Sequence, residues 1–186
     1  MIEARYLAVL RKIHARLQDS QVNWVVTGSL GMALQGVDVP VHDIDLQTDA
    51  EGAYAIERLF PEFVVQPVQF SASERICSHF GALEMDGIRV EIMGDVHKRL
   101  EQGEWEEPVP VERYRRWVEV SGMRLPVLSL EYEYQAYLQL GRQDKAEMLK
   151  QWLAKHGEEG FTTEITENTV GANSKFAHSI NRRIST

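Results

Sequence analysis

Two aspartates separated by one residue, Asp43 and Asp45, stand in the run HDIDLQ. In a β-strand successive side chains point to opposite faces, so these carboxylates share one face while Ile44 and Leu46 share the other. Burial of Ile44 and Leu46 would anchor the strand and force the two anions side by side. Adjacent carboxylates repel unless a cation or a shared proton relieves them. Hard divalent ions, Mg²⁺ above all (or Mn²⁺), take oxygen ligands and often use one or two carboxylates plus substrate phosphates. A further acid comes from IRVEIMGD, where Ile88, Val90 and Ile92 define one face and leave Glu91 on the other. Asp95, expected just past the end of that strand, is the second candidate for the third acid. His42 faces away from the pair in a regular strand and is read as structural or loop-facing.

Upstream, the β-branched run VNWVVT leads into Gly28 and Ser29, followed by a short apolar segment ending at Gly36. A strand–turn–helix junction of this kind presents unpaired amides and the positive end of a helix dipole, which suits a phosphate. Gly28 lets the backbone approach closely, and the Ser29 hydroxyl can bond a phosphate oxygen or cap the helix. Each feature is commonplace alone. Their order along the chain (turn, helix, paired aspartates, later strand acid) is what points to metal–phosphate chemistry.

The elements that must position these residues follow from periodicity. Apolar residues at spacings of three and four predict an amphipathic helix over 2–18. Strands are expected over 22–27, 43–48 and 63–70, the last at a sheet edge because Pro67 lacks an amide proton. Helices are expected over 29–35 and 51–60. Asp86-Gly87 and Ser121-Gly122 suit hairpin turns between strands 79–85 and 88–93, and between 116–120 and 123–128. An acid- and proline-rich loop spans 102–110. Two helices, 130–140 (capped by Ser129) and 142–156 (ending at Gly157), follow. The expected fold class is α+β: a mixed β-sheet with helices packed on it, plus C-terminal helices. The expected organisation is a catalytic domain over 1–128, a helical segment over 129–157 packing on it, and a flexible or appended tail over 158–186.

The chain has 186 residues, a single cysteine and a net charge of −8. One cysteine excludes an intrachain disulfide and a cysteine-rich zinc site, and Cys77 reads as a small strand residue. The acidic balance argues against nucleic acid as a partner, because phosphate binding rests on basic surface. No apolar run approaches the length of a membrane span, so no membrane partner is expected and the cytoplasm is the default location.

The segments TGSLGMALQG and HDIDLQ, with EIMGD downstream, resemble the DNA polymerase beta-like nucleotidyltransferase superfamily. The resemblance is nearest to small bacterial members, the aminoglycoside and lincosamide nucleotidyltransferase-like proteins and the minimal nucleotidyltransferases. It covers residues 22–95 and extends more loosely to YLQLGRQDKAEML. Two departures stand out: VPV precedes His42 where many relatives carry an Arg or Ser, and the third acid is Glu rather than Asp. The resemblance implies that Asp43, Asp45 and Glu91 hold Mg²⁺, with Glu91 also placed to take a proton from an acceptor hydroxyl. It further implies that Gly28 and Ser29 hold the β- or γ-phosphate of an NTP, ATP being the leading co-substrate. Arg142 and Lys145 would supply positive charge toward the triphosphate or the acceptor. The implied reaction moves a nucleoside monophosphate to a hydroxyl of a small molecule, an antibiotic among the candidates, and releases pyrophosphate. Two alternatives stay open: adenylylation of a partner protein, as in toxin–antitoxin pairs, and a nucleotide-binding module without turnover. The short chain leaves open a homodimer that builds the acceptor pocket between subunits.

Overall fold

The computed structural model describes residues 2–100 and 103–156. The expected tail over 158–186, and the helix end at Gly157, lie outside the described residues. Helix α1 spans Ala4–Leu17 and buries Tyr6, Val9, Leu10, Ile13 and Leu17, the stripe that its three- and four-residue spacing dictates. The fully buried strand β1, Trp24–Thr27, leads directly into α2, Gly28–Leu34. Strand β2 is Ile44–Thr48. Helix α3, Ala50–Leu59, is capped by the Asp49 carboxylate, which accepts a 2.6 Å hydrogen bond from the Gly52 amide. A 3₁₀ turn, Pro61–Phe63, follows, and then β3 (Val64–Ala72), β4 (Ile76–Met85) and β5 (Ile88–Lys98). After a loop come α4 (Val111–Tyr114), the hairpin β6 (Arg115–Val120) and β7 (Met123–Leu128), and the helices α5 (Leu130–Gln139) and α6 (Gln143–His156).

All seven strands join one mixed sheet in the order β3-β4-β5-β2-β1-β7-β6. β2 runs antiparallel to β1 and parallel to β5, and β1 runs parallel to β7. One face of the sheet packs Val26, Ile44, Leu46, Leu83, Val90 and Ile92 against α1 and α3. A second apolar cluster joins α2 to α5 and α6 through Met32, Leu130, Tyr134, Tyr137, Leu149 and Leu153. The C-terminal helices therefore pack on the element that follows the Gly-Ser turn, and this brings their polar residues to the same place. Leu10 is fully buried in the larger core. Leu10→Ala is expected to lower unfolding free energy by about 2–5 kcal/mol, checked by urea denaturation.

Most expected elements form within one or two residues of the boundaries read from sequence. The main correction concerns β5, which continues to Lys98 because β4 begins at Ile76 and pairs with it. Asp95 thus lies inside the strand and not past its end. It adopts φ 47° where the β4–β5 register shifts, so one extra residue is absorbed as a bulge. Asp43 sits one position before β2, and α4 falls where no element was expected. The edge position of β3 holds, and its register shifts between Val64 and Gln66 and again between Gln66 and Gln69, the interval that contains Pro67, which has no amide to offer the ladder. Both predicted hairpin turns have two successive positive φ angles (Asp86 53°, Gly87 73°; Ser121 50°, Gly122 73°), the type I′ pattern. Trp105 and Trp117 are exposed and anchor no core.

Candidate active site

Strand pairing alone places three of the predicted residues together. Thr27 is the register partner of Asp45 across β1 and β2, and Asp45 is the partner of Glu91 across β2 and β5. Two neighbouring ladders therefore bring the Gly28 turn and both strand acids to the same level of the sheet. Asp43, Asp45 and Glu91 each offer a carboxylate oxygen within 4.8 Å of the others, and all three are half-buried. Asp95 is not part of this group. Glu91 also forms a 2.8 Å ion pair with Arg89, its neighbour on the same strand face.

Gly28 stands directly beneath Asp45. Its φ is +65°, and a Cβ at this position would overlap the Asp45 carboxylate at Oδ2. Glycine alone satisfies both that backbone conformation and that close approach. Crowding has an electrostatic counterpart: burial first, then the negative charges of Asp43, Glu91 and Glu133, push the Asp45 carboxyl up to about 7. Lys145 on α6 acts in the opposite sense, so its charge reaches the cluster as well as the ring of Tyr137, 5.3 Å from its Nζ. Arg142 precedes α6 and lies 6.0 Å from the same ring. The influence of Arg142 falls on the Tyr137 hydroxyl, and Lys145 is the one of the pair that bears on Asp45.

Sequence reading missed Glu133. This residue of α5 is buried, and its Oε1 accepts hydrogen bonds from the Thr27 hydroxyl and, at 2.9 Å, from the Gly28 amide. The Gly28 amide is thus already engaged, which leaves Gly28 to act through its missing side chain. Burial raises the Glu133 carboxyl, while the bonds from Thr27 and Gly28 and the charges of Lys145 and Lys98 lower it. A signal was present: Leu130, Tyr134 and Tyr137 define the inward face of α5, and Glu133 falls on that face. Nearby, Lys98 is buried at the end of β5, paired with Glu106 and donating a 2.7 Å hydrogen bond to the Tyr132 hydroxyl.

An all-oxygen donor set of three converging carboxylates fits a hard divalent cation, whose charge would offset the repulsion that raises Asp45. No described helix is long and apolar enough to cross a membrane. The model of the aminoglycoside-2''-adenylyltransferase family matches residues 9–151. Among solved structures, a candidate nucleotidyltransferase from Thermotoga maritima is 66% identical, with 83% of this chain and 96% of that chain covered and a TM-score of 0.74. The lincosamide antibiotic adenylyltransferase LnuA, solved with lincomycin bound, is 13% identical, with 80% of this chain and 97% of that chain covered and a TM-score of 0.51. ANT(2'')-Ia, solved with adenylyl-2''-tobramycin, is 9% identical, with 97% and 99% covered and a TM-score of 0.55. At such low identity these two establish a shared fold only. No curated protein matches the chain.

Proposed function

The chain belongs to the aminoglycoside-2''-adenylyltransferase family and is a nucleotidyltransferase; from that premise we propose that it transfers a nucleoside monophosphate from an NTP, ATP first among them, to a hydroxyl of a small-molecule acceptor. The observation that carries this reading is the convergence of Asp43, Asp45 and Glu91 beside the Gly28 turn. These three carboxylates would hold Mg²⁺ or Mn²⁺, which supplies charge neutralisation and Lewis acidity at the triphosphate when bound. Gly28 keeps the turn free of side-chain bulk, and Ser29 follows it at the start of α2 with a hydroxyl that can bond a phosphate oxygen. Lys145 brings a cation toward the same pocket, suited to the negative charge of the triphosphate. Arg142, against the same Tyr137 ring, is assigned a share of that role. Glu91 is a half-buried member of the cluster, and its carboxylate can accept the proton of an attacking hydroxyl.

The two parts of the chain divide this work. Residues 1–128 carry the acids and the turn, and the segment from 129 sets Glu133 against that turn and brings Lys145 toward the acids. Solved members of the fold hold lincomycin and an adenylylated tobramycin. They support a hydroxyl-rich antibiotic as the first acceptor class to try.

The test is pyrophosphate release with each of the four NTPs, with and without Mg²⁺, against a panel of hydroxyl-bearing antibiotics. Release that needs both metal and acceptor is the expected result. Glu91→Gln, which keeps shape but removes charge and basicity, should lower kcat by roughly 10²-fold or more. Full activity in Glu91→Gln would remove Glu91 from the metal and proton-transfer roles. No release from the wild-type protein with any NTP and acceptor would overturn the small-molecule reading.

A further inference from the structure

Glu133 lies outside the metal cluster, yet it is bonded to both residues that lead into the Gly-Ser turn. One carboxylate oxygen, Oε1, receives the Thr27 hydroxyl at the end of β1 and the Gly28 amide at the start of α2. Thr27 is the cross-strand partner of Asp45, and Gly28 is the residue on which the Asp45 carboxylate rests. A shift of this turn would therefore move both the floor under Asp45 and the orientation of the Ser29 amide that follows. α5 is in turn fixed by the apolar cluster it shares with α2 and α6, so Glu133 cannot easily follow a displaced turn. A buried acceptor held by a packed helix, with its donors on the opposing turn, makes the turn's geometry depend on the C-terminal helices.

We propose that Glu133 is a positioning residue for nucleotidyl transfer, its Oε1 clamping Thr27 and Gly28 so that the turn and Asp45 are held in register for the triphosphate. This rests on the transferase reading given above. It assigns Glu133 no contact with substrate or metal, because its side chain is buried and its Oε1 is already engaged by the Thr27 hydroxyl and the Gly28 amide. The requirement is for an acceptor oxygen in that place. Glutamine retains such an oxygen, alanine does not, and valine at position 27 deletes one of the two donors while keeping the branched shape.

The test compares the wild-type protein with Glu133→Gln, Glu133→Ala and Thr27→Val. Hydrogen exchange of the Gly28 amide, followed by NMR without nucleotide or metal, reads the clamp directly. Steady-state kinetics with Mg²⁺ and ATP read its consequence. The expected result is fast Gly28 exchange in Glu133→Ala and near-wild-type protection in Glu133→Gln. In kinetics, kcat/KM for ATP should fall roughly 10- to 100-fold in Glu133→Ala, with a smaller loss in Thr27→Val and substantial rescue in Glu133→Gln. Unchanged exchange and kinetics in Glu133→Ala would overturn the proposal, and so would equal losses in the alanine and glutamine variants. If Glu133→Ala does not fold, Thr27→Val carries the test, and wild-type exchange and kinetics in that variant overturn the proposal. A wild-type protein that transfers no nucleotide defeats the functional reading, and the Gly28 exchange rates still decide whether Glu133 orders the turn.

Discussion

Replacing Asp45 with asparagine is expected to lower the rate of nucleotidyl transfer by on the order of 10³-fold or more, while making the metal-free protein more stable at alkaline pH. The activity loss follows from the place of Asp45 at the centre of the cluster. It pairs with Glu91 on one side and with Thr27 on the other, so no neighbouring carboxylate can take over its position. The stability gain follows from its raised proton affinity. Its folded-state value of about 7 lies above the ordinary 3.8, so between these limits the folded protein keeps a proton that the unfolded chain has released. Stability of the metal-free protein therefore declines through this group as pH rises from about 4 to about 7, and stays reduced above that.

A tenfold rise in proton affinity is worth about 1.4 kcal/mol, so the effect at this carboxyl is on the order of a few kcal/mol. Asp45→Asn removes that penalty. In the presence of EDTA, thermal melts at pH 8 should therefore place the variant above the wild type by several degrees. At pH 4 the two should coincide. Added Mg²⁺ should raise the wild-type melt at pH 8 and leave the variant nearly unmoved, because the cation needs the carboxylates that the proton also claims. A variant that melts with or below the wild type at pH 8 in EDTA would show that Asp45 is not held under electrostatic strain.

Gly28→Ala is expected to damage stability and activity together. Two costs act together: φ +65° strains any L-residue, and the new Cβ would overlap the Asp45 carboxylate. Relief by moving the turn would break the hydrogen bond from the Gly28 amide to Glu133. A loss of roughly 2–4 kcal/mol in unfolding free energy is expected, together with a fall in kcat/KM for the nucleotide of about 10²-fold or more. Urea denaturation and pyrophosphate release measure the two effects. Adding Asp45→Ala to Gly28→Ala should recover part of the stability, since the partner in the overlap is shortened while the φ strain remains. Strict additivity of the two substitutions would mean that position 28 and Asp45 are not in contact.

The legible part of the site was the part written in local periodicity. Alternation put Ile44 and Leu46 in the core and turned Asp45 to the other face, and the same alternation in IRVEIM turned out Glu91. The bulge at Asp95 was illegible because it depends on how far β4 extends alongside β5, a property of two segments and not of either one. Glu133 was missed for a related reason. An acid on the inward face of a helix is conspicuous only once its partners are known, and those partners, Thr27 and Gly28, lie more than 100 residues earlier.

The sequence by itself determined the chemistry available: three carboxylates with the oxygen donors a divalent cation prefers, a Gly-Ser turn, and strands and helices in an order that a mixed sheet accommodates. Periodicity and turn chemistry are local, and they act wherever the segment ends up. Only the tertiary structure decided which of these groups meet. Parallel pairing of β2 with β5 set Asp45 level with Glu91 and not Asp95, and antiparallel pairing with β1 set it over Gly28. Packing of α5 and α6 on α2 then brought Glu133 against the turn and Lys145 toward the acids. Register and helix docking are set by the burial of apolar surface between distant segments, and that burial exists only when the whole sheet has formed.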